Sequence, residues 1–257
     1  MIEIFNEDCI DTMHRLGNNS IDIILTSPPY NINTPIQTQN MYDTYEDNKT
    51  ADEYIEWTTD LFKLFDSVMK PNGVILYNLS YSSASPNLPY RVVCDIIAKT
   101  DWDIAETIVW KKPWAVAVNA CRNRLTRIWE YVFIFCRKSE AKTFISNRDV
   151  ARVIRSKTYY KNIYNFIEAP NNDGVTEINR ATYSTDLCEQ LLNIYAPSGA
   201  IVYDPFIGTG TTAVACKNLG LDCYGSEISK EQVDYANNRL NNIKTQARLE
   251  RFKWDLE

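Results

Sequence analysis

The chain has 257 residues, of which 45% are hydrophobic and 23% are charged, and its net charge is −6. This length and apolar content suit one or two domains with a large core, and they exclude a disordered or fibrous protein. No apolar run approaches the roughly 20 residues that cross a bilayer, and the acidic N-terminus lacks the pattern of a signal peptide, so we expect a cytoplasmic protein.

Short apolar strands alternate with amphipathic helices along most of the chain, which is typical of an α/β layered sheet. We predict strands at residues 2–6, 21–26, 74–79, 104–110, 131–136, 200–203 and 223–226. We predict helices at residues 8–16, 51–69, 89–99, 186–195, 211–219 and 230–243. The turn Pro71-Asn72-Gly73 should end the helix at 51–69. Residues 139–181 are polar, basic and weakly patterned, so we expect an insertion there rather than another strand–helix unit.

The cysteines and the histidine limit the available chemistry. The seven cysteines are dispersed without a C-x-x-C spacing, which suits a reducing compartment and argues against disulfides or a zinc ribbon. His14 is the only histidine, so a multi-histidine metal site is excluded, and nothing near it favours a Ser-His-Asp triad. We therefore expect no metal.

Charge is distributed unevenly along the chain. Residues 110–161 hold 13 basic and three acidic residues and so carry +10, whereas the rest of the chain carries −16. Aromatic residues are interleaved with the basic ones, among them Trp110, Trp114, Trp129, Tyr159 and Tyr160. Such a segment could bind phosphates while its rings stack on bases. A solvated basic face explains the same pattern equally well.

A glycine-containing turn lies between a predicted strand and a predicted helix. It reads Asp204-Pro205-Phe206-Ile207-Gly208-Thr209-Gly210-Thr211-Thr212 and contains two of only eight glycines. Glycine lets a ligand approach the backbone, and Asp204 would present a charge at the end of its strand. The turn has neither a Walker loop's Gly-Lys-Ser/Thr nor the spacing of a dinucleotide fingerprint. Glu227, after the next strand, could accept hydrogen bonds from a ribose diol, so the pair indicates an adenosine-type cofactor.

A second motif, Thr26-Ser27-Pro28-Pro29-Tyr30-Asn31, directly follows the apolar strand 21–26. The two prolines end the strand, stiffen the turn and remove two N–H donors. Rigid carbonyls and the Ser27 hydroxyl could then accept hydrogen bonds from a ligand's amino group, and Tyr30 offers a flat face. A rigid proline turn with a packed tyrosine is the alternative.

These two motifs resemble those of the amino-group DNA methyltransferases, which methylate N4 of cytosine or N6 of adenine with S-adenosylmethionine. Ser27-Pro28-Pro29-Tyr30 matches the family's catalytic motif, (Asp/Asn/Ser)-Pro-Pro-(Tyr/Phe), and residues 204–211 match its cofactor motif, Asp-Pro-Phe-x-Gly-x-Gly-Thr. Glu227 matches the acidic residue after the next strand. A catalytic motif that precedes the cofactor motif is the family's permuted β order, in which the target-recognition region lies between the two.

The resemblance covers nearly the whole chain. It implies a Rossmann-like class I methyltransferase fold, mostly parallel with an antiparallel edge strand, in circularly permuted motif order. It implies a catalytic half at residues 1–138, a target-recognition insertion at 139–182 and a cofactor-binding half at 183–257. Catalytic roles are implied for Ser27, Pro28, Pro29 and Tyr30. The residues implied to bind S-adenosylmethionine are Asp8, Cys9, Thr26, Tyr183, Ser184, Asp204, Pro205, Phe206, Gly208, Gly210, Thr211, Thr212, Glu227 and Ile228.

The sequence departs from the family pattern at two places. Glu7 stands where the family's Gly-Asp-Cys element has glycine. The segment 180–185 reads Arg-Ala-Thr-Tyr-Ser-Thr, where the family usually has His-Pro-x-x-(Lys/Phe)-Pro. For Tyr183 and Ser184, packing therefore explains the residues as well as a cofactor contact does.

The resemblance also implies a mechanism. Ser27 and the Pro28 carbonyl would accept hydrogen bonds from the target amine, and Tyr30 would stack on a base flipped out of the duplex. Transfer would be a direct displacement without a covalent enzyme–base intermediate. The Pro-Cys pair of a C5-cytosine enzyme is absent from this sequence. Ser27 favours N4 of cytosine, because relatives with Asp-Pro-Pro tend to methylate N6 of adenine, which remains the alternative.

The implied partner is double-stranded DNA at the nucleoid, with a restriction endonuclease, if there is one, encoded separately. Whether the protein is a monomer or a homodimer is left open. Base-edge contacts could come from Asn162 and the arginines of the insertion, although phosphate contact is the alternative for each. Other interpretations are a non-catalytic nucleic-acid-binding relative and an RNA or small-molecule amine methyltransferase. The predicted DNA contacts are Lys111, Lys112, Arg122, Arg124, Arg127, Arg148, Arg152 and Arg155.

Overall fold

The computed structural model describes residues 1–31, 49–81, 85–114, 122–123, 125–174, 178–179 and 182–243. None of the helices in these ranges is long and apolar enough to cross a membrane. The strands are β1 (Ile2–Phe5), β2 (Ile21–Thr26), β3 (Met69–Leu79), β4 (Trp102–Lys111), β5 (Trp129–Arg137), β6 (Val150–Ile154), β7 (Lys157–Tyr160), β8 (Phe166–Glu168), β9 (Ile201–Asp204) and β10 (Asp222–Ser226). The helices are α1 (Cys9–Arg15), α2 (Ala51–Val68), α3 (Leu88–Lys99), α4 (Thr185–Tyr195), α5 (Thr211–Leu219) and α6 (Lys230–Asn242).

Side-chain caps fix where most helices begin. Thr50 and Glu53 form a capping box at the start of α2. Asp8, Ser184 and Ser229 cap α1, α4 and α6 by accepting hydrogen bonds from backbone N–H groups. These caps satisfy donors that the first turn of a helix leaves without partners.

Eight strands form one sheet in the order β1-β10-β9-β2-β3-β5-β4-β8. The neighbours from β1 to β3 are all parallel. β5 is antiparallel to both β3 and β4, and β8 is parallel to β4. The sheet is mostly parallel, as predicted, but the antiparallel strand lies inside it rather than at its edge, because β4 and β8 continue the sheet beyond β5.

Two segments differ from the sequence prediction. The turn Pro71-Asn72-Gly73 does not separate α2 from the next strand but lies within β3, where the register with β2 shifts. Asn72 accommodates this irregularity with a positive φ of 60°. Residues 139–181, for which no strand was predicted, contain β6, β7 and β8, and β8 belongs to the main sheet.

The core is divided by the sheet. On one face, α4 and α5 pack on alternate strand residues such as Ile23 and Leu25. On the other face, α2 and α3 pack on the intervening residues, among them Ile24. Because both faces of β2 are covered, its sequence is an almost continuous apolar run, as expected for a central parallel strand.

Candidate active site

A cleft forms between β9 and β2, two neighbouring strands after which the chain continues in opposite directions along the sheet. β9 and β2 pair in parallel. The chain leaves β9 through α5 towards β10 on one side, and leaves β2 towards β3 on the other. Such a switch point leaves a crevice outside the carboxyl ends of the strands. The turns after β2 and β9, which carry the two predicted motifs, therefore meet at this crevice.

The cleft brings together eleven of the predicted catalytic and cofactor-binding residues, namely Asp8, Cys9, Ser27, Pro29, Tyr183, Pro205, Phe206, Gly208, Thr211, Glu227 and Ile228. Seven others are not among the described residues that line it: Thr26, Pro28, Tyr30, Ser184, Asp204, Gly210 and Thr212. The sequence analysis did not predict nine further lining residues: Glu7, Ile10, Trp57, Asn179, Thr182, Ile207, Thr209, Ser226 and Gln232. One of them, Trp57, lies in α2, within the helix predicted at residues 51–69.

The turn after β2 is fixed by contacts with the start of α2. The Tyr54 hydroxyl donates a buried hydrogen bond of 2.8 Å to the Pro29 carbonyl. Asn31 has a positive φ of 53°, and its side-chain amide donates to the Lys49 carbonyl over 2.7 Å. A non-glycine residue in this conformation is held there by its surroundings. Ser27 and Pro29 thus face the cleft from a rigid backbone.

A hydroxyl network lies beside this turn and consists of Ser27, Tyr30, Asn78 and Glu130. The Ser27 and Tyr30 hydroxyls are 2.8 Å apart. Ser27 donates to Asn78 Oδ1 over 3.2 Å, and Tyr30 donates to the same oxygen over 2.6 Å. Glu130 Oε2 lies 3.2 Å from the Tyr30 hydroxyl. Asn78 is the last residue but one of β3, and Glu130 is the second residue of the antiparallel neighbour β5, so both lie at the edge of the sheet that holds Ser27.

The turn after β9 has a conformation that requires glycine. Gly208 and Gly210 have positive φ angles of 51° and 84°. A Cβ atom on Gly210 would lie 2.8 Å from the Cβ of Ala236 in α6. This close approach allows α6 to pack against the beginning of α5, which Gly210 precedes.

Glu227 fixes the geometry of the glycine turn from the end of β10. One carboxylate oxygen accepts the Gly208 N–H over 3.2 Å, and the other accepts the Ser229 N–H over 2.8 Å. Burial raises the pKa of Glu227, and these two N–H groups oppose the shift. The side chain also lines the cleft, where its remaining lone pairs can accept hydrogen bonds from a ligand.

Asp204 is completely buried and joins the two motifs from below the cleft. One carboxylate oxygen accepts from the Thr26 hydroxyl over 2.7 Å and from the Phe206 N–H over 3.0 Å. The other accepts from Thr212 over 2.6 Å and from Tyr183 over 3.1 Å. Burial raises the pKa of Asp204, and these donors oppose the rise. This structure places Asp204 beneath the cleft as an organiser, whereas the sequence suggested a charge that faces the ligand.

Tyr183 and Ser184 occupy different positions despite their adjacency. Tyr183 lines the cleft, and its hydroxyl is hydrogen-bonded to Thr212 and Asp204. Burial, with Asp204 nearby, holds the pKa of Tyr183 well above its usual value, so the hydroxyl stays neutral. Ser184 instead caps α4 by accepting the Leu187 N–H over 3.3 Å. Ser184 therefore has the local structural role that was the alternative to a cofactor contact.

The predicted DNA contacts differ in how exposed their side chains are. Arg122, Arg148, Arg152 and Arg155 are exposed, whereas Arg127 is half-buried over the Tyr81 ring, and Arg124 lies outside the described residues. Lys111 pairs with Glu168 on the surface.

Lys112 differs from the exposed cations. Its side chain is only 12% exposed and lies 2.5 Å from Glu130 Oε1. The ammonium group also stands over the Trp110 ring, 4.4 Å from its centroid. Lys112 is therefore largely buried beside the hydroxyl network, and its charge is already paired with that of Glu130.

Residues 148–161 form what we call the basic hairpin, which contains β6 and β7. The two strands are joined by Arg155 and Ser156, both with positive φ, as in the tight turns that connect twisted antiparallel strands. The strands are exposed along their whole length. Arg152 stacks over the Tyr159 ring at 5.2 Å, and Arg148 lies 5.9 Å from that of Tyr160.

Side chains that could ligate a metal are dispersed over the described part of the chain. There, no group of three or more His, Cys, Asp or Glu side chains is arranged to hold an ion. The cysteines described within these ranges are all free thiols.

A mixed α/β sheet with a ligand cleft at its switch point is typical of enzymes that bind nucleotide cofactors. Residues 21–238 match the DNA methylase family of N6 and N4 methyltransferases, and the chain belongs to that family. It is an S-adenosylmethionine-dependent DNA methyltransferase that acts on cytosine N4 or adenine N6. The predicted family and enzyme class are confirmed, as is the mostly parallel α/β fold, apart from the position of its antiparallel strand.

Individual relatives agree with this assignment. The type II methyltransferase M.BglII of Bacillus subtilis is 28% identical over 273 residues, which cover 95% of this chain and 72% of the relative. M.HpaI of Haemophilus parainfluenzae, also a type II methyltransferase, is 27% identical over 248 residues, with 91% and 72% covered.

Two solved structures share the fold. The cytosine-N4-specific PvuII DNA methyltransferase superposes with a TM-score of 0.72 at 19% identity, over 95% of this chain and 88% of its own. The complex of M1.HpyAVI with S-adenosylmethionine gives a TM-score of 0.60 at 23% identity, over 93% and 100%.

Proposed function

We propose that the protein methylates N4 of a cytosine that is flipped out of a short duplex site, as the modification enzyme of a type II restriction–modification pair. The observation that carries the proposal is Ser27, which lies at the boundary between the cleft and the hydroxyl network. A serine there, rather than the aspartate typical of adenine enzymes, favours cytosine. The restriction nuclease would be a separate protein.

The chemistry of the cleft fits S-adenosylmethionine. Glu227 offers its carboxylate to the ribose hydroxyls, and the rings of Trp57 and Phe206, 5.6 Å apart, supply an apolar wall for adenine. Thr182 and Thr209 have buried hydroxyls that find no hydrogen-bond partner among the described residues, and both line the cleft. A ligand with polar edges would satisfy them. When bound, the cofactor supplies an activated methyl group on a positively charged sulfur.

The remaining residues with proposed cofactor roles act at different distances from the ligand. Asp8 places a carboxylate at one side of the cleft, which favours the cationic groups of the cofactor, whereas the neighbouring Glu7 carboxylate is paired with Arg15. Asp204, Thr26 and Thr212 hold the two turns in register without lining the cleft. The direct contacts proposed for S-adenosylmethionine come from Asp8, Cys9, Tyr183, Pro205, Phe206, Gly208, Thr211, Glu227 and Ile228.

Towards the base, Ser27 accepts a hydrogen bond from the exocyclic amine, together with the Pro28 carbonyl, and so localises the nitrogen lone pair. Tyr30 packs beside the base after it leaves the duplex. The rigid turn orients these groups before the substrate arrives, so catalysis is mainly positional and electrostatic.

The basic hairpin is the proposed surface for base readout. It carries five basic residues and one acidic residue, and a two-stranded ribbon fits the major groove of B-DNA. Its exposed arginines and tyrosines can contact phosphates and base edges. These contacts are consistent with a target-recognition region within residues 139–182.

Nucleoside mass spectrometry on DNA from cells that lack other methylases and express this protein tests the proposal, with Ser27→Ala as the control. N4-methylcytosine in the wild-type sample alone supports it. N6-methyladenine would assign the enzyme to the alternative base. Neither product, with methylated RNA instead, would favour the RNA-directed alternative, and neither product in any nucleic acid would favour a non-catalytic binding protein.

A further inference from the structure

Asn78 is a buried polar residue that the sequence analysis did not select. It is 1% exposed and lies at the carboxyl end of β3, next to the catalytic turn after β2. Its side chain is within hydrogen-bond distance of both hydroxyl groups of the catalytic motif, those of Ser27 and Tyr30. A buried amide in such a position has to satisfy its donors as well as its acceptor.

The surroundings fix which way the Asn78 amide points. Its nitrogen donates to the Tyr131 carbonyl over 2.9 Å and to Glu130 Oε2 over 3.3 Å. A carbonyl oxygen and a carboxylate only accept hydrogen bonds. The reversed amide would bring its oxygen against these two acceptors. Asn78 Oδ1 must therefore face the hydroxyls of Ser27 and Tyr30.

The position of Glu130 is itself determined by Lys112. Their side chains are 14% and 12% exposed and are joined over 2.5 Å, and the cation rests on Trp110. A buried carboxylate with such a partner is held in place, because loss of the cation would leave an uncompensated charge. Lys112 and Glu130 thus support the Asn78 amide from the side opposite Ser27.

The orientation of Asn78 determines where the Ser27 proton goes. Asn78 Oδ1 and Glu130 Oε2 are acceptors for two hydroxyl protons, one on Ser27 and one on Tyr30. Even if Tyr30 donates to Ser27, the Ser27 proton still has Asn78 Oδ1 as its acceptor. The Ser27 proton is thus directed away from the cleft. Its oxygen is left with lone pairs for an incoming N–H donor.

We propose that Asn78, held by Glu130 and Lys112, is a positioning residue that keeps Ser27 a hydrogen-bond acceptor towards the target amine. The proposal rests on the proposed role of Ser27 and extends it to three residues on neighbouring strands. It concerns an amine on either base, so it survives if the product proves to be N6-methyladenine.

A double-mutant cycle tests the proposal. Single-turnover methyl transfer is measured for wild type, Ser27→Ala, Asn78→Leu and the double variant, with cofactor affinity measured by calorimetry. We expect Asn78→Leu to slow transfer about 10-fold or more while the cofactor Kd stays within about twofold, and to slow the Ser27→Ala enzyme hardly at all. Multiplicative losses in the double variant would overturn the proposal.

Two further variants separate positioning from general destabilisation. Asn78→Asp keeps an acceptor for the Ser27 proton but loses the donor to Tyr131, so it should transfer methyl faster than Asn78→Leu even where it melts earlier. Thr59→Val removes the hydrogen bond from the buried Thr59 hydroxyl of α2 to Asp95 of α3, and its effect should be the same in the wild-type enzyme and in the Ser27→Ala variant. Activity that follows melting temperature across the Asn78 variants would contradict the proposal.

Discussion

Thr26 and Asp204 are joined by a buried hydrogen bond of 2.7 Å that links the end of β2 to the end of β9. The two residues are separated by 178 positions in the chain. Thr26 directly precedes Ser27, and Asp204 is the first residue of the glycine turn. The bond therefore connects the two motifs through the Asp204 carboxylate. Any displacement of one motif is therefore transmitted to the other.

The first prediction concerns this carboxylate. Asp204→Asn replaces an acceptor oxygen with a donor that opposes Thr212 or Thr26, so we expect a loss of about 3 kcal/mol in the free energy of unfolding. Cofactor binding and methyl transfer should fall together, because the carboxylate holds both turns. Urea unfolding measures the effect, with the exposed Asp60→Asn as control. An unchanged unfolding midpoint would contradict the structural role.

A second prediction separates Ser27 from the cofactor. Ser27→Ala removes the acceptor for the amine but leaves the glycine turn and Glu227 intact, so methyl transfer should slow by about 100-fold or more. Calorimetric titration should give a cofactor Kd close to that of wild type. Equal losses of binding and rate would show that Ser27 belongs to the cofactor site instead.

The pH dependence of cofactor binding should report on Glu227. Its pKa is raised by burial, so in the free protein it takes up a proton at a higher pH than an ordinary glutamate. Ribose hydroxyls donate to the ionised form, and cofactor affinity should therefore fall as the pH drops through this raised pKa. Glu227→Gln should bind about 10-fold more weakly and lose this pH dependence. Binding that stays equally pH-dependent in the variant would contradict the assignment.

The same group affects stability with the opposite sign. A carboxyl with a raised pKa in the folded state contributes stability at low pH, and this contribution is lost as the pH rises through the folded pKa. Without cofactor, the stability of wild type relative to Glu227→Gln should therefore fall as the pH rises through this pKa, although the glutamine NH2 faces one of the two N–H donors at every pH. Thermal unfolding of the two proteins over this pH range measures the change, and a constant difference would contradict it.

The basic hairpin makes a prediction about salt. If Arg152 contacts a phosphate, Arg152→Ala should weaken DNA binding and lower the slope of log K against log salt by about 1. If it reads a base, the loss should instead be concentrated on the cognate site. Lys230→Ala is the matched control, because Lys230 is an exposed cation paired with Asp234 on α6. Equal effects of the two variants would argue against a DNA contact from the hairpin.

Gly210 should tolerate no side chain. Alanine there would need a φ of 84° and would place its Cβ 2.8 Å from that of Ala236, so we expect Gly210→Ala to destabilise the protein by about 3 kcal/mol. Gly17→Ala, where a Cβ meets nothing within 4 Å, is the control. Ala236→Gly should restore part of the lost stability by relieving the contact. No rescue would assign the whole loss to backbone strain.

The order and type of the elements could be predicted because apolar periodicity and turn residues are local signals. The meeting of the two motifs also follows from sequence, since each motif ends a parallel strand and such strands end at one edge of a sheet. The position of β8 could not be predicted in this way. It has only three residues, Phe166–Glu168, and its position in the sheet is determined by its pairing with β4.

The roles of individual side chains were less accessible. Asp204 is buried because Thr26, Thr212 and Tyr183 surround it, and these residues come from distant parts of the chain. In the sequence, Lys112 cannot be distinguished from the other basic residues of its segment. In the structure it is paired with Glu130, which lies on the neighbouring strand. Such pairings depend on strand register, which a charge pattern does not specify.

The pairing of β2 with β9, and of β1 with β10, has a consequence for the timing of activity during synthesis. A ribosome-bound chain that has reached residue 190 already contains Ser27, Asn78 and the basic hairpin, yet β1 and β2 still lack β10 and β9. At about 5–20 residues per second, the missing strands follow several seconds later. The hairpin proposed to bind DNA is thus translated before β9 and β10, and the proposed cofactor cleft can form only after those two strands have been synthesised.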